Sequence, residues 1–212
     1  MSEPHGDIYA GVSETLAKKF NRPLYVPHII SLEKSKKGEN WRQALGIPEE
    51  AVVFGRYGGV DTMDLTFCWR DIELILNTNK NIYFLFSNTP QMILHPNIKY
   101  MPKVITDEEK NRFIHTCDAY IECGRIGHTF GITIGEFSIN NKPIIAYKGY
   151  PIVFRHSHGN VKINGNIWTG AHIDILSDKG IYYKDEREFY NIMNEFKKED
   201  YKNKDLNAYN EL

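Results

Sequence analysis

Two stretches of the sequence combine glycine with charged side chains in a way suited to a phosphorylated ligand. The first is Gly55-Arg56-Tyr57-Gly58-Gly59, directly after the apolar run Ala51-Val52-Val53-Phe54. Glycine lets a backbone approach a ligand closely, and a guanidinium is a forked, permanent cation that matches phosphate oxygens. The run is neither GxGxxG nor a Walker loop, because no Gly-Lys-Ser/Thr follows. A phosphate loop and a plain tight turn both fit these residues. The second stretch is Gly124-Arg125-Ile126-Gly127-His128-Thr129-Phe130-Gly131, running into Ile132-Thr133-Ile134-Gly135-Glu136-Phe137-Ser138. A loop that feeds a helix presents unpaired N–H groups and the positive end of the helix dipole, a ready site for a diphosphate or sugar hydroxyls. Glu136 is expected roughly one and a half to two turns inside that helix. There its carboxylate can accept hydrogen bonds from ribose hydroxyls. The competing reading is a solvated glutamate, with the glycines serving only close packing.

The surrounding pattern says what holds these loops. Buried strands are expected at Ala51–Phe54, Ile82–Phe86, Ile98–Met101, Ala119–Ile121 and Pro143–Ala146, each a short continuous apolar run. Helices are expected between them at Asp64–Leu76, Asp107–Cys117 and Phe130–Asn140, from apolar residues at helical spacing. A further helix is expected at Asp185–Lys198, with Phe189, Ile192, Met193 and Phe196 on one stripe. Strands alternating with helices imply βαβ crossovers and a parallel sheet covered on both faces. In that architecture ligands sit at the carboxyl ends of strands, where both loops fall.

Upstream, Ser13 is expected to cap a short helix ending near Phe20. Leu24-Tyr25-Val26 reads as a strand stopped by Pro27, Ser31–Asn40 as a charged linker or surface loop, and Trp41–Leu45 as a short helix ended by Gly46. Between Tyr147 and Gly180 the pattern is weak.

Bulk composition narrows the classes of function. The 212 residues carry a formal net charge of −1, which argues against a chain built to coat nucleic acid. The three cysteines, Cys68, Cys117 and Cys123, show no CxxC pairing and suit a reducing, cytoplasmic setting. Neither a leader peptide nor a run of 18 apolar residues is evident. His156 and His158 form an HxH with His172 further on, but no third ligand stands at a diagnostic spacing, so no metal site is expected. No Asp-x-Asp clamp and no GxSxG elbow occur. The lysines near the C-terminus alternate with acids, as on a solvated helix end.

The run Gly127-His128-Thr129-Phe130-Gly131, with Glu136-Phe137-Ser138 and Asn141-Lys142-Pro143-Ile144-Ile145 behind it, resembles the GETFGLxxxEFxxxxxPVI signature of retaining glycosyltransferases of the GT-B fold, family 4 and relatives. Gly55-Arg56 is similar to their phosphate-binding loop, and Leu45-Gly46-Ile47-Pro48 and Cys117-Asp118-Ala119-Tyr120 match further segments. The likeness runs from about Trp41 to Lys198. It implies an α/β fold, a Rossmann-like parallel sheet flanked by helices, forming the C-terminal, donor-binding half of a two-domain enzyme. Residues 1–40 then resemble the end of the N-terminal domain with its linker, 41–198 form the nucleotide-sugar-binding domain, and 199–212 are a tail.

The same resemblance implies roles. Arg56, His128 and Glu136 are the candidate catalytic residues. Gly55, Arg56, Gly58, Gly59 and Arg125 would meet the donor diphosphate. Thr129, Phe130 and Gly131 would hold sugar and phosphate through backbone amides, Glu136 would bind ribose, and the nucleobase would rest near Lys103 and Val104. The donor is a substrate, so no resident cofactor is expected. A separate N-terminal domain or subunit is the expected partner for acceptor binding. The chain departs from the family at His128, which stands where the motif has its first glutamate, and in lacking a lysine in the loop after Arg56. The alternative is a non-catalytic nucleotide-sugar-binding or regulatory module.

Overall fold

Runs with no polar alternation fold as strands buried on both faces, and that is how the centre of this chain is built. The computed structural model describes residues 8–32, 39–125, 127–149, 154–156, 159–161 and 170–209. Most of the Ser31–Asn40 segment lies outside the described residues, as do the His156 and His158 side chains. A first unit comprises β1 (Ala10–Gly11), α1 (Glu14–Lys19) and β2 (Leu24–Tyr25), the two strands pairing in parallel. Ser13 caps α1 through a hydrogen bond from the Leu16 N–H, as its type predicts.

The main sheet is made of β3 (Val52–Tyr57), β4 (Ile82–Ser87), β5 (Ile98–Met101), β6 (Ala119–Glu122), β7 (Ile144–Tyr147) and β10 (Ile181–Tyr183). Their order is β10-β7-β6-β3-β4-β5, and every pairing is parallel. The chain runs outward from β3 to β5, returns across to β6 and runs outward again. The strand order therefore reverses between β3 and β6, which is a Rossmann-type switch point. The crossovers are α2 (Thr66–Thr78), α3 (Asp107–Thr116), α4 (Ile132–Ile139) and α5 (Ala171–Leu176), and α6 (Glu186–Glu195) follows β10. A hairpin of β8 (Phe154–His156) and β9 (Gly159–Val161) lies between β7 and α5.

Successive strand residues point to opposite faces and so feed two cores. Val53, Tyr120, Ile144 and Ala146 join Phe113 of α3 and Phe137 of α4 on one side. Phe54, Ile121 and Ile145 join Ile72 of α2 and Phe189 of α6 on the other. Gly55 is required inside β3, because a Cβ there would lie 2.1 Å from Cys117 Sγ. Residues 41–46 form turns rather than the expected helix. Arg42 decides this: its Nη1 donates to the carbonyls of Pro48, Glu49 and Ala51 while Nη2 pairs with Asp118 at 2.7 Å. Four partners around one buried guanidinium need a curled chain, and Gly46 closes it with φ +64.

Candidate functional site

Both glycine-rich segments arrive at the switch point, at the carboxyl ends of β3 and β6. The first differs from the expected loop: Gly55, Arg56 and Tyr57 belong to β3, and only Gly58 and Gly59 lie beyond it. Gly55 faces Cys117 and Phe113, so the space its missing side chain leaves is filled by protein. Arg56 is 1% exposed. Its Nη1 donates to Thr89 Oγ1 at 3.3 Å, its Nη2 donates to Thr62 Oγ1, and its Nε has no partner among the described residues. No described carboxylate comes within ion-pairing distance of it. A buried cation whose hydrogen bonds go only to two hydroxyls is a costly arrangement that an arriving anion would relieve.

At the end of β6 stands Glu122, also 1% exposed. Its Oε1 accepts from the Gly124 N–H at 2.8 Å and its Oε2 from the Tyr120 hydroxyl at 3.0 Å. His128 Nε2 lies 3.0 Å from the same Oε2, an ion pair by distance although off the hydrogen-bond line. Burial pushes the Glu122 carboxyl up, but His128, Arg56 and His172 together hold it down at about 2. For His128, burial works against the charged form and Glu122 overrides it, so its pKa is raised. His172, the second residue of α5, meets the His128 ring edge to face at a centroid distance of 5.1 Å. Burial first, and the charge on His128 second, hold its pKa at about 4. Its two ring nitrogens have no hydrogen-bond partner among the described residues. The loop fits closely around this ring: a Cβ on Gly170 would lie 2.2 Å from the His172 ring, and the Ala171 N–H donates to the His128 carbonyl at 2.7 Å.

The turn into α4 follows. Thr129 is exposed, whereas Phe130 is buried with its carbonyl accepting from the Tyr209 hydroxyl at 2.7 Å. Gly131 is the N-cap with φ +88 and supplies no side-chain cap, leaving the first N–H groups of α4 facing the switch point. Glu136, the fifth residue of α4 and so just over one turn in, is buried rather than solvated. Its Oε2 accepts from the Tyr57 hydroxyl at 2.7 Å and its Oε1 pairs with Lys110 Nζ at 2.6 Å. A carboxylate has about four lone-pair directions, and these two contacts use two of them.

The remaining expected residues lie on the loops around these strand ends. The Arg125 guanidinium donates to the Asp64 carbonyl at 2.9 Å, and its backbone N–H donates to Asp64 Oδ1 at 2.7 Å, so it pins the loop to the start of α2. Val104 is buried with its N–H bonded to Ser87 Oγ at 3.0 Å, while Lys103 beside it is exposed at the end of β5. Glu122 was missed by sequence reasoning. The available signal was a lone carboxylate closing the apolar run Ala119-Tyr120-Ile121. His172 entered only as a candidate metal ligand, and no group of three or more His, Cys, Asp or Glu able to hold a metal occurs among the described residues.

No protein-family model and no curated protein sequence matches the chain. Solved structures do match. HepE from Anabaena, in complex with UDP and glucose, superposes with a TM-score of 0.67 at 14% identity, covering 96% of this chain and 56% of its own. WaaG, a glycosyltransferase of lipopolysaccharide biosynthesis, gives 0.60 at 11% identity over 87% of this chain and 52% of its own. The C-terminal domain of LpcC, a group 1 family glycosyl transferase from Francisella tularensis, gives 0.56 at 12% identity, with 86% of this chain and 95% of that domain covered. The chain has the fold of a GT-B C-terminal domain. It spans 56% of the length of HepE, and a domain alone suffices to match it in LpcC. In this GT-B domain the switch point is the cleft between β3 and β6, which Arg56, Glu122, His128 and the α4 N-terminus surround. No helix among the described residues is long and apolar enough to cross a membrane.

Proposed function

We propose that the chain is the donor-binding part of a glycosyltransferase, holding a nucleotide-diphosphate sugar at the switch point. The observation that carries this reading is Arg56, a buried guanidinium with no carboxylate in ion-pairing distance and an unpartnered Nε, on the same carboxyl edge of the sheet as an uncapped helix N-terminus. Both features ask for an anion, and a diphosphate spanning β3 and α4 answers both. As the glycosidic bond to the donor breaks, negative charge grows on the departing diphosphate. Fixed donors already aimed there stabilise that charge without reorganising. Glu136 accepts from the ribose hydroxyls with its remaining lone pairs, and the donor is a substrate rather than a resident cofactor. The acceptor and any general base come from a second domain or subunit. The HepE complexes with UDP and with UDP-glucose make UDP the first nucleotide to try.

Calorimetric titration with UDP, GDP and ADP tests this directly. Micromolar binding of one nucleotide, weakened at least about tenfold in Glu136→Gln, supports the reading. Absence of binding to all three overturns it for this chain. Binding without glycosyl transfer, even in the presence of the complementary domain, leaves a non-catalytic sensor of the same ligand.

A further inference from the structure

The cleft holds a second basic group, and its setting gives it a defined task. Glu122 is anchored on three sides, by the Gly124 N–H, the Tyr120 hydroxyl and the closeness of His128. Its carboxylate has no freedom to leave the imidazole. His128 Nε2 is turned inward to Glu122 and buried, whereas the side chain as a whole is 28% exposed. The exposed part of the ring includes the Nδ1 side, and no described residue bonds to Nδ1. Protonation changes what that edge offers. In a neutral ring with its proton on Nε2, Nδ1 is an acceptor; in the imidazolium it is a donor. The groups facing the ring are Glu122 and Tyr120 from β6, Arg56 from β3 and His172 from α5. Of these, His172 is walled in by Gly127, Gly131 and Gly170 and has no hydrogen-bonded acid to support a charge.

We propose that Glu122 is a positioning residue that holds His128 as an imidazolium whose Nδ1–H points into the cleft and binds an anionic oxygen of the donor. This rests on the donor-binding reading above. Two sources of such an oxygen exist on one donor: the diphosphate, or a carboxylate on the transferred sugar. Binding then takes up a proton wherever His128 is partly neutral in the free protein, and affinity falls as pH rises through its pKa. The raised pKa of His128 agrees with this arrangement.

The test uses the full chain and nucleotide sugars that do not themselves titrate between pH 5.5 and 9. UDP-, GDP- and ADP-glucose are screened first, and the one that binds is titrated across that range in buffers of different ionisation enthalpy, alongside the matching glucuronate. The expected result is an affinity loss of about tenfold with rising pH together with net proton uptake. Both signatures should vanish in His128→Gln and weaken in Glu122→Gln, with circular dichroism confirming that each variant is folded. An effect of equal size for glucose and glucuronate donors assigns the oxygen to the diphosphate; an effect confined to the glucuronate assigns it to the sugar. A pH-independent affinity, or an unchanged pH profile in folded His128→Gln, overturns the proposal while leaving donor binding intact. Failure of every nucleotide sugar to bind at any pH overturns the donor-binding reading itself.

Discussion

The Tyr57 hydroxyl donates to Glu136 Oε2 at 2.7 Å, so the last residue of β3 is tied to the middle of α4 by a buried bond. Lys110 of α3 holds the other oxygen at 2.6 Å, and one carboxylate thereby joins three elements around the cleft. Burial, followed by the Glu136 charge, pushes the Tyr57 hydroxyl far above its usual range, so it stays a donor at every accessible pH. Tyr57→Phe is expected to cost about 1 kcal/mol of stability and to lower nucleotide affinity a few-fold through loss of carboxylate orientation. Thermal melts and calorimetry on the same variant check both. An unchanged affinity would remove Glu136 orientation from the account of binding.

Arg56 separates stability from function. Removing one member of a buried ion pair is strongly destabilising, but Arg56 makes no direct ion pair: it hydrogen-bonds Thr62 and Thr89 and acts on the Glu122 charge only from beyond ion-pairing distance. Arg56→Met should therefore melt in the free state at or above the native temperature while losing about 30-fold or more in nucleotide affinity. A fall in stability of about 3 kcal/mol or more would instead mark Arg56 as a structural residue.

The histidine pair sets an acid limb in stability. The folded pKa of His172 is about 4 against 6.5 for the free side chain, because burial and His128 oppose its charge. Between those values the unfolded chain binds a proton that the folded chain refuses, so stability falls as pH drops from 6.5 toward 4. The loss can reach ~3 kcal/mol. Glu122, held at about 2 rather than 4.5, contributes fully above 4.5 and loses its contribution as pH falls toward 2. His128 has the opposite sense: its raised pKa gives a contribution that is complete below 6.5 and lost as pH rises through the folded value. Urea denaturation from pH 3 to 9 should show a maximum between the two limbs. His172→Gln should flatten the limb between 6.5 and 4 and leave the lower one in place.

Gly124 exists to let Glu122 sit where it does. A Cβ there would lie 2.5 Å from Glu122 Oε1 and 2.9 Å from the Thr62 carbonyl oxygen, and the second contact is backbone that cannot swing away. Gly124→Ala is expected to destabilise by about 1–3 kcal/mol and to lower nucleotide affinity together with it. Wild-type melting of this variant would mean that the loop after β6 adjusts freely.

Several features were legible because they depend on neighbours in sequence. Ile98–Met101 emerges as a strand with the bounds expected of it, and the Ser13 cap and the α2, α3 and α6 helices follow from local spacing. The last strand, Ile181–Tyr183, was not recognised. Three residues carry too little periodicity, and only pairing with β7 makes them a strand. The Trp41–Leu45 helix failed for a related reason: Arg42 reaches Asp118, 76 residues away, and that bond outweighs local helix preference.

By itself, the sequence determined the alternation of strands and helices, the parallel sheet this compels, and the two glycine-rich segments that had to fall at strand ends. These are consequences of short-range hydrophobic pattern and of chain connectivity. Only the tertiary structure decided the chemistry of the cleft. It drew Arg56 into the strand as a buried cation bonded to two hydroxyls and to no carboxylate, tied Arg125 to Asp64, and buried Glu136 between Tyr57 and Lys110. It also set Glu122 against His128 and His172, residues 6 and 50 positions further along the chain, in a water-poor space. Charge and protonation in such a space depend on which groups are packed within a few ångströms, and sequence spacing does not carry that distance.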